Sequence, residues 1–555
     1  MPFKELVASM KGYTRQAFAS DLTAGLIVGI VALPLCIAFA IASGLEPDKG
    51  IITGVVASFF IALFSGSRTQ IGGPSGPFVV IAFGVIQQAG LNGLIIATFA
   101  AGVMLIIMGK TGLGSLIKFI PYPVIAGFQA GVAVMLLTTE FKDLLGLSVM
   151  EAGGNVVAKW QSYMMAIGTV NPYALAVSAG SILFMMLPIK GLRRIPNSLI
   201  ALIGATIIVQ VFQLPVDTIG TRFKEIASGL PKPLFPDISF EVVREMIQPA
   251  VAIALLAAIE GLLSAVVADG ITGQTHEPNK VLIAAGIANL GTSIFGGLPA
   301  TAAIARTATN ARNGGRTFVG GVTHAVLLLL IMLFLGRWAA LIPLASLGAI
   351  LFVVAYNLLD WRALSQLMKN PKSDVAVLLA TLGLTVFVDL STGILIGMAM
   401  AAALFIKRMA AVTDVNVVTR EFHREAQGKS AFVSIAPIPR GVEIYEINGP
   451  FFFGAVYKLR EALRVVVTKP KVRMIRMSQV NAMDSTGLHA LEEVYKMCKK
   501  EKSTFLISEI HAQPFTALLK SGLLETFGEE NVLASYEEAL ARAEQLIQPK
   551  APTQS

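Results

Sequence analysis

From Asp21 to Ile406 the chain alternates long, nearly charge-free apolar runs with short polar connections. Leu22 to Ala42, Leu94 to Met108, Ala174 to Leu187, Ala250 to Ala268, Val322 to Leu335 and Val375 to Val388 are the clearest runs, and many approach the ~20 residues that cross a bilayer as a helix. With the shorter runs they predict about fourteen spans. Met1 to Ser20 is polar, and the first apolar run is longer than a signal-peptide core and is followed at once by others, so the first helix is expected to stay in the chain. From Asp414 onward the pattern shortens and turns polar. It predicts strands at Val442 to Ile447, Val472 to Met477 and Thr504 to Ile507. Helices are predicted at Val456 to Val467, Ser485 to Lys499, Pro514 to Ser521 and Tyr536 to Ile547.

The expected architecture is therefore an all-α polytopic membrane domain followed by a small α/β domain. Residues 1–20 read as an N-terminal segment, 21–409 as the membrane domain, 410–439 as a linker that includes the start of the second domain, 440–548 as the rest of that domain and 549–555 as a tail.

Composition agrees with the pattern. Hydrophobic residues make up 54% of the 555 and charged residues only 14%, too apolar for an ordinary soluble fold, so most of the surface is expected to face lipid. The 44 Lys and Arg exceed the 35 Asp and Glu, and in such a chain this excess reports topology rather than nucleic-acid binding. Every second connection carries a basic cluster, starting with Lys4, Lys11 and Arg15. Next come Arg68; Lys110 and Lys118; Lys190, Arg193 and Arg194; Arg312 and Arg316; Arg362, Lys369 and Lys372; and Lys407 and Arg408. An even number of spans then puts both termini in the cytosol, at the plasma membrane. The cysteines Cys36 and Cys498 offer neither a disulfide framework nor metal-site spacing and are expected to be free thiols.

An internal repeat is visible. Ile71-Gly72-Gly73-Pro74-Ser75-Gly76-Pro77-Phe78 and Phe295-Gly296-Gly297-Leu298-Pro299-Ala300-Thr301-Ala302 both set a double glycine ahead of a proline that is expected to open a short apolar helix. Pro74 and Pro299 lie 225 residues apart, and the apolar starts near Asp21 and Gln248 lie 227 apart. Two halves of about seven spans, near 21–213 and 248–409, fit that offset, and an odd number per half inverts one relative to the other. Each break reads as a helix N-terminus inside the membrane, where unpaired N–H groups and the positive end of the dipole attract an anion. The expected donors are the backbones of Ser75, Gly76, Phe78, Ala303, Ile304 and Ala305, with the hydroxyls of Ser75 and Thr301. The competing reading is that glycine and proline merely kink membrane helices, where both are common.

Glu260 lies deep in the apolar run Ala250 to Ala268, where a carboxylate marks an ion or proton path or else a structural partner for another polar group. Ser264 sits one turn further on the same face, placed to share a bound cation or hydrogen bond. Arg306 follows the second break, its charge available to an anion or to backbone carbonyls. Glu140, Lys142 and Asp143 close the fifth span and read as a boundary cluster. The five histidines, His276, His324, His423, His489 and His511, form no catalytic grouping, which speaks against a membrane enzyme.

The run Ala32-Leu33-Pro34-Leu35-Cys36-Ile37-Ala38-Phe39-Ala40-Ile41-Ala42-Ser43-Gly44 resembles the SulP anion transporters, bacterial relatives of solute carrier family 26. So do Gly73-Pro74-Ser75, Asp269-Gly270-Ile271-Thr272-Gly273, Pro299-Ala300-Thr301 and Ala305-Arg306-Thr307. Asp484-Ser485-Thr486-Gly487, between a strand and a helix, is similar to the motif of a STAS domain. The resemblance implies a seven-plus-seven inverted repeat split into a core and a gate, moving as an elevator. It implies a pocket at Leu35, Phe39, Ser75 with its neighbours, and Ala303 to Arg306. It places Glu260 where sodium-coupled bicarbonate members carry an aspartate followed four residues on by threonine. The pair Glu260 and Ser264 is more similar to proton-coupled dicarboxylate members, so the expected coupling ion is a proton, with sodium as the alternative, and no cofactor. Overall the chain resembles the bacterial C4-dicarboxylate branch most, while sulfate and bicarbonate carriers share the scaffold.

For the tail the resemblance implies regulation, support of a homodimer and a cytosolic protein partner, with Ser485 or Thr486 as a phosphorylation site. The same turn also serves simply to cap the following helix. An exchanger or channel of the same fold, and a membrane sensor signalling through the tail, are the competing functions.

Overall fold

The computed structural model describes residues 13–115, 120–149, 156–187, 197–223, 232–234, 236–237, 239–418, 438–465 and 469–548. The basic residues Lys4, Lys11, Lys118, Lys190, Arg193 and Arg194, used above to orient the chain, lie outside these, as does most of the expected linker.

The chain divides into two compact units, Met1–Ala401 and Ala402–Ser555. The first is helical. In its first half are α1 (Arg15–Ala42), α2 (Pro47–Phe64), α3 (Gly76–Lys110), α4 (Tyr122–Leu145), α5 (Val156–Met165), α6 (Pro172–Met186), α7 (Asn197–Val211) and the short α8 (Ile219–Phe223). The second half holds α9 (Phe240–Thr272), α10 (Pro278–Ile294), α11 (Ile304–Arg312), α12 (Phe318–Ala339), α13 (Leu344–Leu358), α14 (Trp361–Leu367), α15 (Lys372–Phe387) and α16 (Leu390–Val412), which runs across the boundary between units. Among the described residues seven helices are long and apolar enough to cross a bilayer, and Pro172–Met186, Asn197–Val211 and Phe318–Phe334 are shorter apolar ones.

Local chemistry explains where the helices begin and bend. Prolines sit in the first turns of α2, α3, α4, α6 and α10, where a missing N–H costs nothing. Gly90, at φ 64° and ψ −163°, breaks α3 into two pieces, a conformation that a Cβ would strain.

The helices pack as two groups. One brings together α1, α2, α3, α9, α10, α11 and α12; the other gathers α13, α15 and α6 around α4. Within the first group α3 and α10 approach so closely that a Cβ on Gly102 would stand 2.9 Å from the carbonyl oxygen of Gly286. Small residues allow that contact, the usual way membrane helices gain packing energy without a hydrophobic drive between them.

Two strands of two residues each, β1 (Gly72–Gly73) and β2 (Thr301–Ala302), lie between helices deep in this unit and pair antiparallel, Gly72 opposite Ala302 and Gly73 opposite Thr301. The two breaks noticed in the sequence are therefore stitched to one another.

In the second unit β3 (Asp414–Val418), β4 (Val442–Asn448), β5 (Val472–Gln479), β6 (Thr504–Ser508) and β7 (Val532–Leu533) form a sheet in that order. The β3–β4 pair is antiparallel and the rest are parallel. Helices α17 (Phe453–Val465), α18 (Ser485–Glu501), α19 (Ala512–Ser521), α20 (Leu523–Phe527) and α21 (Tyr536–Ile547) complete it. Tyr445, Phe451, Ile475 and Leu491 are buried at its core. In the same domain Arg473 is buried against Glu501 at 3.0 Å and Glu443 at 3.5 Å. Burial pushes the thiol of Cys498 up, with Arg473 pulling the other way.

Candidate anion site

Each half-helix opens on a residue in extended conformation, Ser75 before α3 and Ala303 before α11, and neither end receives a side-chain cap. For α11 this follows from the residue, since alanine has no acceptor. For α3 it follows from a competing bond: the Ser75 hydroxyl, well suited to capping, donates instead to Glu260 Oε2 at 2.5 Å. No side chain therefore competes with an anion for the first-turn N–H groups.

Not every expected donor has that capacity. Phe78 N–H donates to the Ser75 carbonyl at 3.1 Å, and Ala303 N–H to the Ile71 carbonyl at 3.0 Å as part of the strand pairing. Gly76 at the start of α3, and Ile304 and Ala305 at the start of α11, carry the remaining first-turn amides, and Ala305 is exposed. Beside them Phe39 reaches to within contact of the Gly76 position, while Leu35 is partly buried in the surrounding core.

Two side chains expected to face the anion are used elsewhere. Thr301 Oγ1 donates to the Ala257 carbonyl at 2.9 Å, tying β2 to α9. Arg306, 4% exposed, reaches across to the other half and donates to the carbonyls of Pro74 at 2.9 Å and Gly72 at 3.4 Å. Of the two roles open to it, binding backbone carbonyls is the one its geometry adopts. A Cβ on Gly73, whose φ is 147°, would lie 1.9 Å from Arg306 Nη1. Ser264 Oγ donates to Thr307 Oγ1 at 2.9 Å rather than to Glu260, and Thr307 Oγ1 accepts the Ile71 N–H at 3.1 Å.

The prolines do not play matching parts. Pro74 stands between β1 and Ser75, with Pro77 in the first turn of α3, whereas Pro299 precedes β2 and α11 opens without a proline. The structurally equivalent residues, Ser75 and Ala303, are 228 apart, so the Gly-Gly-Pro match runs three residues out of step with the fold. Nor is α11 apolar: Arg306, Thr307 and Asn310 are buried in it because they bond the backbone before α3, Asn310 reaching the Thr69 carbonyl at 2.9 Å.

Sequence reasoning passed over several residues that hold this region. Gln70 donates to the Gly261 carbonyl at 2.7 Å, and Asn289 brackets Ala300, donating to its carbonyl at 2.7 Å and accepting its N–H at 2.9 Å. Ser58 bonds both the Gly72 carbonyl, at 2.6 Å, and His324 Nδ1, at 2.8 Å. Asn289 and His324 were findable as polar residues inside apolar runs, a placement that membrane interiors penalise unless each finds a partner.

Glu140, read as a boundary residue, is 3% exposed and faces an internal cavity, while Asp143 pairs with Arg222 at 2.9 Å. In the second unit Asp484 caps α18 by accepting the Gly487 N–H at 2.9 Å, and Ser485 and Thr486 are exposed in its first turn. No group of three or more His, Cys, Asp or Glu able to hold a metal occurs among the described residues.

Known proteins share this plan. A family model described as the Sulfate permease family matches residues 18–381, and one described as the STAS domain matches residues 434–539. A Bacillus subtilis (strain 168) protein, provisionally named the sulfate transporter YvdB, is 39% identical over 531 residues, 95% of this chain and 98% of its own length. The bicarbonate transporter BicA of Picosynechococcus sp. is 29% identical over 548 residues, 94% of each chain. The solved transmembrane domain of a cyanobacterial BicA superposes with a TM-score of 0.62 at 28% identity, over 70% of this chain and 98% of that one. Murine Slc26a9, an anion transporter, superposes with a TM-score of 0.85 at 20% identity, over 97% and 94% of the two chains, a likeness of fold.

Proposed function

This chain belongs to the sulfate permease family and ends in a STAS domain, and from that premise we propose that it is a secondary transporter of a small oxyanion, coupled to protons through Glu260. The observation that carries the reading is the pair of half-helix ends without side-chain caps, held side by side by β1 and β2. An anion bound there is stabilised by the two helix dipoles and by the amides of Gly76, Ile304 and Ala305, which have no partner among the described residues.

Coupling rests on Ser75, which is at once the N-cap residue of α3 and the partner of Glu260. A charged Glu260 puts a negative carboxylate next to the anion, and a proton on it removes that charge. Anion binding and protonation therefore favour one another, and by linkage the coupling is the same in both directions. The neutralised body made of α1–α3 and α9–α12 then moves past the other helices as an elevator, its buried charges cancelled. Both termini are placed in the cytosol.

Sodium is the alternative coupling ion; Ser264 donates to Thr307 rather than to Glu260, and the oxygen next to the Glu260 carboxyl is that of Ser75. The relatives above carry names for sulfate and bicarbonate transport, and the glutamate at position 260 keeps C4-dicarboxylates in the substrate panel.

The test is uptake into proteoliposomes of sulfate, bicarbonate, succinate, fumarate and chloride, with and without a pH gradient or sodium. One of the oxyanions should accumulate when the outside is acidic, and Glu260→Gln should lose the response to pH while still binding the anion. Wild-type coupling in that variant, or a response to sodium alone, overturns proton coupling; currents that ignore both gradients indicate a channel.

A further inference from the structure

Beyond the anion site the structure holds a second buried charge arrangement, and it is incomplete. A cavity of about 310 Å³ is lined by the end of α1, by Phe83 of α3, by Thr139, Glu140, Lys142 and Asp143 of α4, by Lys159 of α5 and by Arg222 of α8. Glu140 accepts no hydrogen bond and makes no ion pair among the described residues, although it is 3% exposed. Across the same cavity the Lys159 ammonium lies 4.4 Å from the centroid of the Phe83 ring and donates to Thr139 Oγ1 at 3.1 Å. A buried carboxylate and an ammonium thus line one cavity without pairing, and the cation rests on an aromatic ring, a weaker partner than a carboxylate.

The elements that supply the two partners belong to different groups of helices. Phe83 stands two turns along the helix whose first turn forms the anion site, so the ring goes where the site goes. Glu140 and Thr139 are on α4, which packs with α13, α15 and α6. We propose that Lys159 is a two-position latch: on Phe83 it holds the site-bearing helix in the present conformation, and when that helix withdraws it swings to Glu140 and stabilises the other one. The idea rests on the elevator reading given above. It gives Glu140, unpaired among the described residues in the present conformation, a partner in the second one. Asp143 is not part of the latch because Arg222 already neutralises it.

The experiment uses the full chain in lipid nanodiscs, with Ala42→Cys at the cavity wall as a reporter and Cys36 and Cys498, both buried, left in place. The rate of labelling by a charged maleimide measures how often the cavity opens. Phe83→Leu should raise the rate by about two- to fivefold, the population change expected for losing one cation–π contact. Phe83→Tyr, which keeps a ring, should restore it. Glu140→Gln should lower the rate, because the open position loses its partner.

An unchanged rate in Phe83→Leu, or both variants moving in the same direction, overturns the latch. If Phe83→Leu does not fold, Glu140→Gln decides alone, and a rate at or above that of the wild type overturns the latch. Sulfate, bicarbonate and pH are also varied on the wild type. A wild type indifferent to all three overturns the elevator and the latch with it, whereas a responsive wild type with unmoved variants overturns the latch only.

Discussion

Arg306 shows how a single side chain can be misjudged by its charge. Its guanidinium commits two of its roughly five N–H groups to carbonyls of the other half, so its removal should act on stability before it acts on selectivity. Arg306→Lys keeps the charge but gives up the planar fork that reaches both oxygens. The expected cost is about 1–3 kcal/mol for the Pro74 carbonyl left without its partner, the Gly72 carbonyl keeping Ser58, read as a lower unfolding midpoint of the detergent-solubilised protein, with the order of preferred anions unchanged. A changed order with an unchanged midpoint would return Arg306 to the anion. Gly73→Ala strikes the same contact from the opposite side: its Cβ meets Arg306 Nη1. The variant should lose uptake and be less stable than the wild type, which the same two measurements check.

At the level of elements, the long periodic pieces were legible and the irregular ones only partly so. The last helix was expected at Tyr536 to Ile547 and is found there, because its apolar stripe and its Ser535 cap are local signals. The initial strand β3 lay at the edge of the expected linker, and β7 went unseen: two residues carry no alternation to detect. Likewise β1 and β2 make sense only as a pair, since neither Gly72–Gly73 nor Thr301–Ala302 has any strand signal of its own. The candidate site was legible as two helix starts, but the commitments of Thr301, Arg306 and Ser264 depend on residues far away in the chain, which no local pattern encodes. For α18 the cap was readable and gives a clean prediction. Asp484→Ala should cost about 1 kcal/mol, seen as faster amide exchange in the first turn of α18, whereas Ser485→Ala should leave exchange there unchanged because the bond to Gly487 N–H is intact.

For the whole molecule the division at Ala401 decides where the tail can be removed. A cut at Pro439 would leave β3 behind without β4, an unpaired strand open to edge association. A chain ended after Val412 removes the sheet entire. The expected result is that the shorter chain retains pH-driven uptake and elutes as a single species, while the one ended at Pro439 aggregates; equal behaviour of the two would mean that β3 needs no partner. If the shorter chain loses uptake while staying folded, the tail is required for transport itself and not only for its control.

The ribbon of β1 and β2 fixes the span between the two positive poles. A carrier built in this way cannot widen or narrow its grip to suit the cargo, since both jaws are sewn together at the back. On the proposed function, discrimination among solutes of differing size then falls to side chains beside the helix ends, such as Phe39 against Gly76, rather than to a change in the spacing of the ends themselves.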